Sequence, residues 1–245
     1  MDWRARPASR TRSIRPSRKT ISVSDDISTV ELVTSAIAVA AFVLSFVTVV
    51  APWLRRPRLT LVADREHSHV EREGGLDVPY LRLPVGNWRR RRSAHRARVV
   101  LDGFRHQGDE TLKRIGSPFL AWPSVFGQQS DAYVDVLFAG TERPVGIGRF
   151  YRAVKVGDSV QRDSANPKST WWLHIELPGS YEIGEQRDWL PAGAWELRLI
   201  VGADQADARL YSLKFSWGGA TTVSAEDVLE EVMNGMTVKR LRRWR

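Results

Sequence analysis

Five residues within a short span have side chains able to ligate a metal ion: Asp64, Glu66, His67, His69 and Glu71, in "ADREHSHVERE". On a strand His67 and His69 would face the same side, as two imidazole ligands must. The stretch is dense in charge, follows a strand pattern and brings no ligand from elsewhere in the chain. A solvated loop is therefore expected, and no metal is assigned. A second cluster is cationic. "NWRRRRSAHR", residues 87–96, sets Arg89, Arg90, Arg91 and Arg92 in a row, and the sequence closes on "KRLRRWR". There Lys239, Arg240, Arg242, Arg243 and Arg245 surround Leu241 and Trp244, basic heads beside apolar residues that could enter a lipid interface. Catalytic signatures are missing: no Gly-x-Ser-x-Gly elbow, phosphate-binding glycine loop or HExxH occurs. Neither a catalytic residue nor a cofactor is expected.

The wider composition suits such a basic surface. The 245 residues carry a net charge of +9, which favours anionic partners. Of the 37 basic residues only six are lysine, a skew that GC-rich coding also produces. There is no cysteine, which excludes disulfides and thiolate zinc sites. Nucleic acid is the less favoured anion, because no stacking platform or helix-based reader accompanies the charge.

The elements that must position these residues begin with a tail, 1–27, rich in Arg, Ser and Pro and without apolar periodicity, which reads as disordered. Residues 32–51, "LVTSAIAVAAFVLSFVTVVA", hold no charge for twenty positions. A helix of that length spans roughly 30 Å, a bilayer's hydrocarbon thickness. A transmembrane helix over 28–54 is expected, with Ser28 to Glu31 at capping-box spacing and Trp53, Arg55, Arg56 and Arg58 at the far interface. A cleaved signal fits less well, since the apolar run is long and Pro52 follows the only small-residue candidate at Ala51. Near the helix, Arg15, Arg18 and Lys19 stand against Arg55, Arg56, Arg58 and Arg65, a count that leans towards a cytoplasmic C-terminal domain.

From residue 58 apolar and polar residues alternate. Strands are predicted at 58–63, 80–85, 97–104, 132–138, 148–156, 170–177, 195–201 and 209–217, separated by turn signals such as Gly157-Asp158 and Pro191-Ala192-Gly193. Eight strands without intervening helices imply a mainly β fold, an antiparallel sandwich over 55–220. Gly146 and Gly148 within "VGIGRF" suggest a bulge or a packing device. Trp171 and Trp172 should point to opposite faces, and Trp195 and Trp217 into the core. The remainder, 221–245, reads as a short amphipathic helix and a basic tail. Ser224 and Asp227 have capping-box spacing, and Val228, Leu229, Val232, Met233 and Met236 share one face.

"LRLPVGN" followed by "RRSAHRARVVLDG" resembles the opening hairpin of bacterial immunoglobulin-like domains of the CARDB kind, through Val85, Asn87, Ala94, Val99, Leu101 and Gly103. "AGAWELRLIVGAD" is similar to a later strand of those domains, through Gly193, Trp195, Leu197, Leu199 and Asp204. The resemblance implies an Ig-like sandwich used as a scaffold or binding module, with four arginines where relatives carry a glycine turn. Together these features predict a single-pass membrane protein with a role in interaction or scaffolding. Its partners would be the lipid bilayer, anionic headgroups and a protein. The alternatives are an extracytoplasmic envelope module whose tryptophans meet glycan, and, more remotely, a hydrolase with a site in loops 157–169 or 179–193.

Overall fold

The alternating segments form two antiparallel sheets whose inward side chains meet in one core. The computed structural model describes residues 29–114, 118–123, 131–177, 188–220 and 222–242. Two units are distinguished, Met1–Val50 and Ala51–Arg245. In the first, α1 (Thr29–Ser45) continues into a π-helical turn, Phe46–Val50. With α2 (Ala51–Leu54) these make a helix of 26 residues, Thr29–Leu54, long and apolar enough to cross a membrane.

The first sheet runs β1 (Leu59–Leu61), β3 (Leu76–Asn87), β6 (Glu142–Val156), β8 (Thr170–Ile175) and β9 (Trp189–Leu190). β2 (His69–Glu73) also pairs with β3, and β7 (Ser159–Arg162) with β6. The second runs β12 (Thr237–Arg240), β11 (Ala206–Trp217), β10 (Gly193–Ala203), β4 (Ala94–His106) and β5 (Val134–Leu137). Leu81, Leu83, Ile147, Phe150 and Leu173 from one sheet are sealed against Val99, Leu101, Leu197, Leu213 and Phe215 from the other. Each such side chain stabilises the fold by about 1.5–3 kcal/mol when fully buried.

All eight predicted strands are present, and four further short ones join them. Two of the additions correct the sequence reading. The stretch expected to be a solvated loop ends in β2, which turns at Gly74-Gly75 to pair with β3, Val70 facing Pro79, while Glu71 and Glu73 reach Arg149 on β6. Part of the expected basic tail is β12, an edge strand whose Val238 faces Leu213. The arginine-rich turn is also not a hairpin: β3 and β4 belong to different sheets, so residues 88–93 cross between them. In the immunoglobulin arrangement ABED/CFG, the strand beside B follows its outer neighbour in the chain. With β1, β3, β4, β10 and β11 in the places of A, B, C, F and G, β6 beside β3 instead precedes β8.

The glycines at 146 and 148 do both things expected of them. The β3–β6 register shifts opposite them, with Leu81 facing Gly148 and Arg82 facing Gly146. A Cβ on Gly148 would lie 2.3 Å from the His174 carbonyl oxygen, and one on Gly146 2.6 Å from the Tyr80 hydroxyl. α3 (Ala225–Gly235) starts at the Ser224 N-cap, whose Oγ accepts the Asp227 amide at 3.1 Å. Val228 and Val232 enter the core and Met233 packs against it, while Leu229 stays half-exposed.

Candidate functional site

The arginine turn is organised by Asn87, the last residue of β3, which is almost fully buried. A buried amide must satisfy its donors and acceptor, and these bonds fix the neighbouring chain. Its Nδ2 donates to the carbonyls of Arg92 at 2.8 Å and Leu137 at 3.1 Å, and its Oδ1 accepts the Arg58 amide at 3.2 Å. The Arg92 amide donates to the Arg55 carbonyl at 2.9 Å, and the Trp88 amide to that of Arg58 at 3.4 Å. Arg58 lies over the Trp88 ring, 5.0 Å from its centroid. Arg89, Arg90 and Arg92 are exposed and Arg91 is half-exposed. The turn is thus hydrogen-bonded to the residue that directly follows the 26-residue apolar helix.

The C-terminal basic residues reach the same end. Tyr211 pairs with Arg240, and the Tyr211 hydroxyl and Arg209 Nη1 both donate to the Leu59 carbonyl, each at 3.2 Å. Burial lowers the proton affinity of Arg209, and the charges of Arg240 and Arg58 lower it further. The Leu241 amide donates to the Leu210 carbonyl, and Lys239 pairs with Ser212 along the edge. Arg243, Trp244 and Arg245 lie outside the described residues. Two apolar side chains stand among these charges: Trp88 is 52% exposed, and Phe138 63%, in a turn whose Gly140 amide donates to the Asn87 carbonyl. Basic segments that are far apart in sequence therefore share one end of the sandwich, around β1.

A second constellation, which the sequence reading missed, covers the outer face of the first sheet. Arg149 on β6 contacts three carboxylates: Glu73 at 2.9 Å, Glu176 at 3.6 Å and Glu71 at 3.7 Å. Arg82 pairs with Glu71 at 2.9 Å, and Arg162 with Glu73 at 3.4 Å. The Tyr80 ring lies between Arg82 and Arg149, whose guanidinium carbons are 3.8 and 4.6 Å from its centroid, and its hydroxyl bonds Glu176. Burial raises the Glu176 pKa, and the charges of Glu71 and Glu73 add to this, to about 7. Burial acts on Glu73 in the same direction, yet the Tyr151 hydroxyl, Arg149 and Arg162 outweigh it and hold that carboxyl below its usual value. The only trace in the sequence was the charge density of 64–73, since the partners of Glu73 on β6 and β7 are more than 70 residues away.

Of the metal-ligand candidates, Asp64 and His67 come together with Glu142, one donor atom from each lying within 4.8 Å of the others. His67 Nε2 is 3.2 Å from Glu142, whereas His69 turns to Glu71 at 2.9 Å. The two histidines do not converge, and hydrogen bonding accounts for both rings. A third feature is an aromatic groove of about 470 Å³ lined by Phe104, Trp172, Trp189 and Trp195 with Lys113 and Lys155. Trp171 points inward and Trp172 outward.

These features define a mainly β protein of two antiparallel sheets, with one apolar helix able to cross a membrane and a basic end next to that helix in the chain. No protein-family model matches the chain, and neither a curated protein nor a solved structure matches it.

Proposed function

We propose that this is a single-pass membrane protein for interaction or scaffolding, whose Ig-like sandwich, of the CARDB kind, sets its basic end against anionic lipid headgroups. The observation that carries this reading is the 2.9 Å bond from the Arg92 amide to the Arg55 carbonyl. If the helix ending at Leu54 crosses a bilayer, Arg55 stands at its surface, and the arginine turn stands there with it. Each arginine near an anionic leaflet contributes about 1 kcal/mol of attraction. Trp88 and Phe138 are the amphipathic and apolar side chains that an interface accommodates. The anionic leaflet and the local charge count favour a cytoplasmic domain.

Because the chain lacks cysteine, single labels can be introduced freely. A spin label at Gln205→Cys, in the turn between β10 and β11 at the basic end, should be shielded in nanodiscs containing phosphatidylserine and freer in phosphatidylcholine or high salt. A label at Asp158→Cys, in the β6–β7 turn, should not respond. Equal exposure of Gln205→Cys in both lipids would defeat the reading.

The aromatic groove favours a second reading, an extracytoplasmic module that stacks glycan on Trp172 and Trp189. A reporter active only in the cytoplasm, fused after Arg245, separates the two: signal supports the first, silence the second.

A further inference from the structure

The first sheet contains a gap. β3 pairs with β6 as far as Tyr80–Arg149, and β7 takes up the same edge of β6 only at Ala153–Arg162. Continuing the register sets Pro79 opposite Phe150, and proline has no amide to give the ladder. Pairing stops there, and residues 150–152 face a cavity of about 260 Å³ instead of a strand. Its apolar lining comes from Val78, Phe150 and Trp171. The Trp171 ring is fixed by its Nε1 bond to the Val223 carbonyl at 3.2 Å, so the floor is formed in advance. The wall beyond is the 163–169 turn, held by Asp163 Oδ1 on the Asn166 amide and by the Asp163 amide on the Arg152 carbonyl.

Arg152 also lines this cavity, half-buried. Its Nε is buried without a hydrogen-bond partner, and among the described residues no carboxylate pairs with it. Every carboxylate of the neighbouring network already faces other arginines; of the two acids that line the cavity, Glu73 is engaged by Arg149, Arg162 and Tyr151, and Asp77 makes no ion pair with Arg152. A half-buried guanidinium without a counter-ion can take an anion on its terminal N–H groups.

We propose that this gap is a binding site for a small organic carboxylate, its anionic group on Arg152 and its apolar body on Phe150, Trp171 and Val78. Ser164 at the wall supplies a further hydroxyl donor. The site is distinct from the basic end, none of whose arginines lines it.

The test uses the full chain in detergent micelles, with 4-fluorobenzoate as probe and ¹⁹F NMR as readout against empty micelles. Saturable binding is expected, weakened at least tenfold by Arg152→Gln and less by Arg152→Lys. Arg198→Gln, at a comparable unpaired arginine on the other sheet, should leave it unchanged. Ser164→Trp, which blocks the cavity from a loop without touching core or charge, should abolish it. The proposal is overturned by no saturable binding, by equal affinity in Arg152→Gln or Ser164→Trp, or by 4-fluorobenzylamine binding as tightly as the acid. Near-UV circular dichroism shows that each variant keeps its fold. Should Arg152→Gln lose it, Ser164→Trp decides the outcome alone.

Discussion

Glu176, directly after β8, and Glu196, on β10 of the other sheet, are low-exposure glutamates whose surroundings drive them in opposite directions. Glu196 on β10 is almost sealed, yet it accepts two bonds from Arg105, at 2.7 and 2.9 Å, and one from the Ser212 hydroxyl at 2.7 Å. Burial raises its pKa, but Ser212, Arg105 and Lys214 overcome that and hold it below the ordinary value. Glu176 has Arg149 at 3.6 Å, shared with two other carboxylates, and is raised to about 7. Burial alone does not set the charge state of a carboxyl; the ratio of donors to competing acids does. One sheet carries a satisfied ion pair; on the other, Glu176 shares its one arginine, Arg149, with Glu71 and Glu73.

The largest effect should come from breaking the satisfied pair. Arg105→Ala leaves Glu196 buried without its main partner and should destabilise the protein by about 3–5 kcal/mol, measured by denaturant unfolding. Arg105→Met with Glu196→Met should recover much of that loss, because no uncompensated charge is left.

Next is the pH dependence on the opposite sheet. A carboxyl whose folded pKa is raised binds more protons in the native state than in the unfolded one, so its contribution falls as pH rises from 4.5 through about 7. That interval corresponds to roughly 3 kcal/mol at most. Glu176→Gln should remove the fall and make the variant more stable than the parent at pH 8, with little difference at pH 4. Glu196 and Glu73, both lowered, act in the opposite sense: their stabilisation is complete above about 4.5 and is lost as pH drops further. A stability maximum in mildly acidic solution is expected, and Glu176→Gln should extend it upward. A parent protein equally stable at pH 5 and pH 8 would erase the contrast between the two glutamates.

The contrast also shows what sequence could convey. Period-two alternation located the long strands because each is half-buried, and the inward residues of β10, Trp195, Leu197 and Leu199, follow the pattern throughout. β2 escaped because it is short and charged, although its partner β3 follows it directly, and β12 because it is a short edge strand whose partner β11 is remote. The carboxylate network was invisible for the same reason: Glu73 meets Arg149, Tyr151 and Arg162 only once β6 and β7 fold over β2. The arginine turn was plain in the sequence, but its attachment was not. Asn87 stood out through a resemblance, while its bonds to Arg58, Arg92 and Leu137 needed the fold.

A smaller effect belongs to the helix that packs against both sheets. Ser224→Ala removes the oxygen that accepts the Asp227 amide, and should cost about 1 kcal/mol in thermal or denaturant unfolding. Since α3 touches β2, β3 and β11, the loss should appear as a global shift and not as local fraying.

The smallest change in stability should come from the most charged segment of the molecule. Arg89, Arg90 and Arg92 are exposed, and no described carboxylate pairs with them, so replacing all three with serine should alter unfolding by no more than about 0.5 kcal/mol per site. Relief of like-charge repulsion could even make the variant slightly more stable. Arg105, with one buried acid to satisfy, is worth several times more to the fold than three arginines facing solvent. Yet the same triple variant should lose most of the shielding of a Gln205→Cys label on phosphatidylserine nanodiscs, because attraction to a surface scales with charge and not with burial. Asn87→Ala supplies the converse: it keeps every arginine, but frees the turn from Arg58 and Arg92 and leaves two carbonyls without a donor. It should lower stability by about 1–3 kcal/mol. If the triple variant destabilised the fold as much as Asn87→Ala, the arginines would belong to the architecture, and their place beside Arg55 would no longer point to a lipid surface.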